Sequence, residues 1–370
     1  MIIFADINNL NTKMMKLRIE VLAVVAVLMS TVLPSCLQKT VSADEPIALT
    51  GEMCQLDSQF MGSVFPMYNG EFFVMSSWLP DEALYIARVD GLDFKTDSLR
   101  LPIGDGPKEF REAVPLLLDS TLLLLDGTMG RTSSFTAIPL NSPDYTNSKS
   151  WQRTAYADMG SLRMPSVSFV AIDDTTMLVA SSEFMSANTF SIIDVKNGTY
   201  RELDWSPDDG FSGPGIVKGG AYADNAYLYS HGDKYYYQCG EGHYGFIFTI
   251  EGDKVNVVKE LFSEFPDYLA APDGLNYNIR RKDGAMYTAA ATDKHIYTHK
   301  RVYEYDGVRA TQVAGTEVHA YDWDGNEVAE YQIDRMSSYI FVSPDDKYLF
   351  ACSHDDDDYD KTVIMRYTLP

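Results

Sequence analysis

Basic residues are in short supply in this 370-residue chain, which holds 30 Lys and Arg against 53 Asp and Glu for a formal net charge of −23. Nucleic-acid binding relies on clustered cations that displace counterions from phosphates, so this balance excludes nucleic acid as a partner. It also argues against electrostatic docking on anionic lipid. Cysteine is scarcer still. The four present are Cys36, Cys54, Cys239 and Cys352, and their wide spacing matches neither a disulfide framework nor a metal-site pattern. A long hydrophobic run is missing as well: the apolar stretch Val21–Leu33 covers 13 residues, short of the roughly 20 that span a bilayer as a helix. The chain contains no Gly-x-Ser-x-Gly elbow and no His-Glu-x-x-His pair. The sequence therefore names no catalytic residue.

What is present at the start is an export pattern. Lys16 and Arg18 precede the apolar stretch, and Leu33-Pro34-Ser35-Cys36 follows it. A basic head, a short apolar core and a small residue at the cleavage point are the parts of a secretory signal. A branched apolar residue three before a cysteine, with serine directly before it, resembles the lipobox of bacterial lipoproteins, whose cysteine is acylated and becomes the new N-terminus. Pro34 departs from the Ala or Ser usual at its place. The resemblance implies a signal over 1–36 ending in lipidated Cys36, a polar tether over 37–46, and a folded body over 47–370. Asp6 and its asparagine neighbours sit poorly ahead of a basic head, so translation is expected to start at Met14 or Met15. The membrane is then a partner through the lipid anchor, and the expected location is the outer membrane. Surface-exposed lipoproteins of Bacteroidetes tend to carry acidic residues right after the cysteine, whereas Leu37-Gln38-Lys39-Thr40 stands here. The periplasmic and the surface face both stay open.

Beyond residue 56 the helical period is almost absent. Short runs rich in Val, Ile, Tyr, Phe and Thr take its place, among them Glu71–Ser77, Ala83–Val89, Thr121–Leu125, Phe190–Val195, Tyr244–Ile250 and Val363–Tyr367. Such residues suit a pleated, half-buried surface. Eight Asp-Gly and two Asn-Gly pairs punctuate them, and these pairs accept the positive φ angles of tight hairpin turns. The clearest case is Glu317–Ile333, strand, Asp324-Gly325, strand. Strand clusters recur at roughly the length of one four-stranded propeller blade. They divide the body into units 57–110, 111–163, 164–216, 217–269, 270–335 and 336–370. The last unit is short by one strand, which residues 46–56 are expected to supply. The fold class read from the sequence is therefore all-β, a six-bladed β-propeller whose N-terminal strand closes the last blade.

Three motifs carry a family resemblance. Ile103-Gly104-Asp105-Gly106-Pro107-Lys108-Glu109-Phe110 resembles the signature after the first blade of the TolB-like six-bladed propeller lipoproteins of Bacteroidetes. Ala320–Glu327 is similar to that family's fifth-blade hairpin, and Ser343–Phe350 to its final-blade strand. The resemblance implies a propeller with an envelope address and no particular reaction. Read by itself, Gly104–Phe110 is a blade-to-blade turn with Phe110 in the core; it lacks the Lys-Ser/Thr pair and following helix of a phosphate loop.

The candidate ligand-binding residues are few. Asp355, Asp356, Asp357 and Asp358 crowd one loop, and hard cations such as Ca²⁺ seek several oxygen ligands. The central Gly and distal Glu of an EF-hand are missing, so a solvated loop is the competing reading. No other metal or cofactor is implied. His231 and His243 flank Tyr235–Tyr237 beside glycines and are candidates for a blade tip. Tyr222, with Tyr227 and Tyr229, could form a stacking platform for a sugar. Two functions compete. One is a non-catalytic propeller that binds a protein, peptide or glycan in the funnel of its central channel. The alternative is a calcium-dependent hydrolase or lactonase, which requires carboxylates and amides to converge on that channel.

Overall fold

The computed structural model describes residues 45–57, 66–76, 84–96, 101, 104, 109–110, 113–118, 120–126, 133–156, 168–173, 175–180, 186–194, 196–280, 284–305, 310–354 and 361–370. Cys36 and Asp355–Asp358 lie outside these residues, as does everything expected of residues 1–44.

Six antiparallel sheets follow one another along the chain, at 67–96, 113–156, 168–202, 227–263, 285–333 and 339–368. Each falls inside one of the six units expected from the sequence. Strand order within each sheet follows chain order, from an innermost strand outward, save that in blade 5 Ala310–Ala314 pairs back on the end of His295–Tyr305 beside the main path. Four antiparallel strands bring the chain back to the end of the blade where it began. Every step to the next blade is therefore taken at the same end of the ring, called here the connection end.

The strands read as continuous apolar runs because each blade is covered on both faces. In Thr121–Asp126 of blade 2, Leu122 and Leu124 pack with Phe72, Val74 and Ile86 of blade 1. Their alternates Leu123 and Leu125 pack with Phe169, Met177 and Val179 of blade 3. Lys234–Gln238 of blade 4 does the same with aromatics. Tyr235 and Tyr237 join Phe190 and Ile192 of blade 3, and Tyr236 joins Ala289 and Ile296 of blade 5. Tyr297 and Tyr331 of blade 5 meet Ile340 and Leu349 of blade 6. Phe341, Phe350 and Ile364 close the ring against Phe73 and Tyr85 of blade 1. The core is thus six apolar layers, one between each pair of neighbouring blades.

The expected closing strand exists and does more than close one blade. Ile47–Leu49 runs parallel to Glu327–Ile333 on the outer edge of blade 5. Glu52–Met53 runs antiparallel to Thr362–Thr368 and is the missing fourth strand of blade 6. Gln55–Leu56 then runs parallel to Asp93–Thr96 of blade 1. One short strap edges three consecutive blades. It passes Tyr367 so closely that a Cβ on Gly51 would sit 2.8 Å from the ring. Glu52 Oε2 pairs with Arg366 at 2.7 Å, and Asp57 Oδ1 accepts the Thr96 amide at 2.9 Å.

Hairpin chemistry follows the sequence. Glu317–Asp322 and Glu327–Ile333 turn at Gly325, whose φ is +79°. The Asp322 Oδ1 oxygen accepts the amides of Asp324 at 3.0 Å and Asn326 at 2.8 Å, so this carboxylate closes the turn. Phe110 is fully buried in the layer between blades 1 and 2, and the Gly104 amide donates to its carbonyl at 3.1 Å.

One element departs from expectation. Helix α1, Gly215–Ala223, stands between blades 3 and 4, in a stretch read as lacking helix. Gly219 and Gly220 disfavour a helix, and tertiary anchoring overrides them. Ile216, Val217 and Tyr222 sink into the layer between these blades. Asp209 ties the helix down: Oδ1 pairs with Lys218 Nζ at 3.0 Å, and Oδ2 accepts the hydroxyls of Tyr222 at 2.9 Å and Tyr268 at 2.7 Å. Tyr268–Ala270 pairs with Tyr277–Ile279 in a small extra sheet against α1, before blade 5. No helix among the described residues is long and apolar enough to cross a membrane.

Cys54, Cys239 and Cys352 are free and buried. Burial pushes the Cys54 and Cys239 thiols up to about 12. Cys54 hydrogen-bonds to the Ile364 carbonyl, and Cys352 is the register partner of Ile364 on the other side. A strand therefore separates the two cysteines, placing their Cα atoms roughly 9–10 Å apart, beyond disulfide reach.

Candidate functional site

The innermost strands of all six blades enclose an axial channel of about 290 Å³. Its wall is formed by 66–68, 114–118, 168–171, 227–230, 289–291 and 339–342. Apolar side chains dominate, and the polar groups are the hydroxyls of Ser168, Ser230, Tyr68, Tyr227, Tyr229 and Tyr339. Most of these hydroxyls serve the scaffold. Ser168 Oγ accepts the Leu228 amide at 2.9 Å, joining blades 3 and 4. Tyr229 donates to the Ala289 carbonyl at 2.6 Å, joining blades 4 and 5. Burial raises the pKa of both the Tyr227 and Tyr229 phenols, so neither ionises near neutral pH. The described wall holds no carboxylate, amide side chain, imidazole, amine or thiol. A calcium-dependent hydrolase in this channel would find no carboxylate or amide side chain among the described residues of the wall.

The sequence candidates scatter. Tyr222 has no surface: it is fully buried on α1 with its hydroxyl committed to Asp209. Tyr227 and Tyr229 do come together, in the channel wall. His231 closes the first hairpin of blade 4, at the end opposite the connections, where it stacks on Trp323 at 5.6 Å. His243 lies between the second and third strands of the same blade, at the connection end. The ring separates these two histidines.

His243 lies in a second, polar pocket of about 260 Å³ with Glu241, Glu264, Asp267, Arg280 and Tyr287. Its ring is sandwiched between Phe262 at 4.0 Å and Tyr287 at 4.5 Å. Burial lowers its pKa, against the pull of Glu264, so the ring is neutral at pH 7. The Asp267 carboxylate pairs with Arg280 at 2.9 Å and Asn225 Nδ2 donates to Glu241 at 2.9 Å. Much of the pocket's polarity is thus satisfied internally.

Other groupings arise only in the fold. His319, Glu327 and Glu330, from the two outer strands of blade 5, bring their ligand atoms within 4.8 Å of one another, the one such metal-capable group among the described residues. His319 Nδ1 already lies 2.7 Å from Glu327 Oε1, so the pair is satisfied without an ion. Arg301 and His299 are buried near the connection end of blade 5. They are register partners of Met286 and Thr288, a relation no local pattern announces.

Neither a family model nor a curated protein matches the sequence. Solved structures do resemble the fold. A member of the DUF4221 family from Bacteroides vulgatus aligns with a TM-score of 0.56 at 12% identity, over 86% of this chain and 97% of its own. The protein YjhT aligns with a TM-score of 0.51 at 10% identity, over 84% of this chain and 95% of its own. Likeness at such identities carries the fold and nothing finer: the chain is a six-bladed β-propeller.

Proposed function

We propose that the chain is an exported lipoprotein of the outer membrane, held by acylated Cys36, whose propeller binds a ligand or partner group in its axial channel without transforming it. The observation that carries the binding reading is the wall itself. Its apolar and phenolic lining suits desolvation of an apolar group and offers no base to activate a serine nucleophile and no carboxylate or imidazole metal ligand among the described residues. The anchoring half rests on Lys16, Arg18, the short apolar core and Leu33–Cys36. The motifs at Ile103–Phe110 and Ala320–Glu327 support kinship with the TolB-like propeller lipoproteins. Fold by itself would not assign the role.

The test of anchoring is Cys36→Ala. In the native host this variant should lose metabolic acyl labelling and move from the membrane to the soluble fraction. An unchanged membrane partition would reject the anchor. Protease shaving of intact cells then assigns the face: loss of the protein marks the surface, survival the periplasm.

A further inference from the structure

His319, Glu327 and Glu330 come together across the last two strands of blade 5, Glu317–Asp322 and Glu327–Ile333. A regular strand would not gather them. Residues three apart on a strand point to opposite faces, which would set Glu327 and Glu330 on opposite sides of the sheet. The register instead shifts between Ala320 and Tyr321: His319 pairs with Glu330 and Ala320 with Ala329, but Tyr321 pairs with Glu327. Val328 is left over as a β-bulge, and this extra residue returns Glu327 to the face of Glu330. That face is the one of His319 and Tyr321. Their alternates Val318 and Ala320 pack between blades 5 and 6, whereas Tyr321 packs between blades 4 and 5. Bulges recur in sheets where a side chain is re-aimed.

The re-aimed group is electrostatically incomplete. Its ligand atoms lie within 4.8 Å of one another, so two carboxylates stand side by side. His319 Nδ1 and Glu327 Oε1 share a proton across 2.7 Å, which answers Glu327 alone. The Glu330 carboxylate has no hydrogen bond or ion pair among the described residues, and neither glutamate meets a lysine or arginine there. Burial, and then the charges of Glu327 and Glu330, push the Tyr321 phenol up, so both carboxylates bear on one spot. Solvent reaches it: the His319 and Glu327 side chains are 33% and 46% exposed.

We propose that His319, Glu327 and Glu330 together bind one zinc ion, which displaces the proton shared by His319 and Glu327 to solvent and draws in the unanswered carboxylate of Glu330. An imidazole nitrogen with carboxylate oxygens is a donor set for zinc, which accepts three protein ligands and a water. Calcium seeks six to eight oxygens, more than two glutamates offer. The ion would tie the third strand of blade 5 to the fourth, on whose outer edge Ile47–Leu49 of the strap lies. The site is separate from the axial channel and does not depend on it.

The experiment is a zinc titration of the full-length protein, stripped with a chelator, read by calorimetry and by thermal melting. One ion per chain should bind, and the melting temperature should climb with each step in zinc, because the ion binds the folded chain. Millimolar Ca²⁺ or Mg²⁺ should not reproduce the climb. Glu330→Gln, a near-isosteric change, should weaken zinc by at least the tenfold to hundredfold that loss of a supporting partner costs, about one to two decades. His319→Ala should do the same. His231→Ala, and replacement of Asp355–Asp358 by asparagine, should leave zinc binding unchanged. No zinc uptake by the unaltered protein would overturn the proposal. So would zinc bound equally tightly by Glu330→Gln and the unaltered protein, which places the ion elsewhere. A climb with Ca²⁺ that matches zinc and vanishes in Glu330→Gln would overturn the choice of ion. If His319→Ala fails to fold, Glu330→Gln decides alone.

Discussion

His299 shows what burial does to a single side chain. Its Nδ1 lies 3.2 Å from Thr288 Oγ1 and its Nε2 lies 3.1 Å from Ser337 Oγ, stitching blade 5 to the start of blade 6. Burial pushes its pKa down to about 4, with Arg301 adding to the effect. The unfolded chain takes up this proton near pH 6.5 and the folded chain only near 4, so stability is lost as pH falls through that window, by about 3 kcal/mol. Urea midpoints at pH 7 and pH 4.5 should therefore fall further in the unaltered protein than in His299→Gln. Identical pH dependence in the two would show that the ring does not carry the effect. His295 and His299, four apart on the strand His295–Tyr305, share a strand face. The sequence could not show that one is buried and the other meets Asp346 at 3.3 Å, because burial depends on blade 6, far along the chain. Tyr222 was misjudged for the same reason, since only the fold brings Asp209 to its hydroxyl.

At the level of elements, strands and hairpins were readable and α1 was not. Runs such as Thr121–Asp126 announce themselves because both faces are covered, and Asp324-Gly325 announces its turn through the φ it needs. Helix α1 has two central glycines and takes its stability from Asp209, Tyr268 and the layer beneath, none of them local. The strap was half readable. That something must complete blade 6 followed from counting strands, whereas its pairing with blades 5 and 1 left no trace in composition. Deleting residues 45–57 uncovers Glu327–Ile333, Thr362–Thr368 and Asp93–Thr96 together, and open strand edges invite association. The truncated protein should melt well below the full propeller and elute as oligomers on size exclusion. A monomer of unchanged melting temperature would mean that the strap is decoration.

For the molecule as a whole, six layers in a closed circle leave no terminal repeat from which unfolding can begin. An open solenoid can fray from its ends, because each repeat touches only its neighbours; a closed ring has no such ends. Leu124→Ala, in the layer between blades 1 and 2, and Ile247→Ala, in that between blades 4 and 5, should each cost about 2–5 kcal/mol. Both should shift one common unfolding transition, with an unchanged dependence on denaturant. Two separated transitions in either variant would show that the blades act independently. The repeating architecture was visible in the sequence because every blade solves the same packing problem. The channel chemistry was not, since its wall draws one strand from each blade, and residues so far apart in the chain leave no local pattern.

The strap also fixes an order of events. Glu52 must wait for Arg366, 314 positions later, before it has anything to hold. At about 5–20 residues per second of synthesis, that delay is tens of seconds. Gln55–Leu56 can pair with blade 1 early, but Glu52–Met53, among the first residues of the propeller to be made, are the last to find their seat. A chain interrupted short of blade 6 would leave Glu52–Met53 without a partner, an unstitched hem by which a protease could tell an incomplete copy from a complete one.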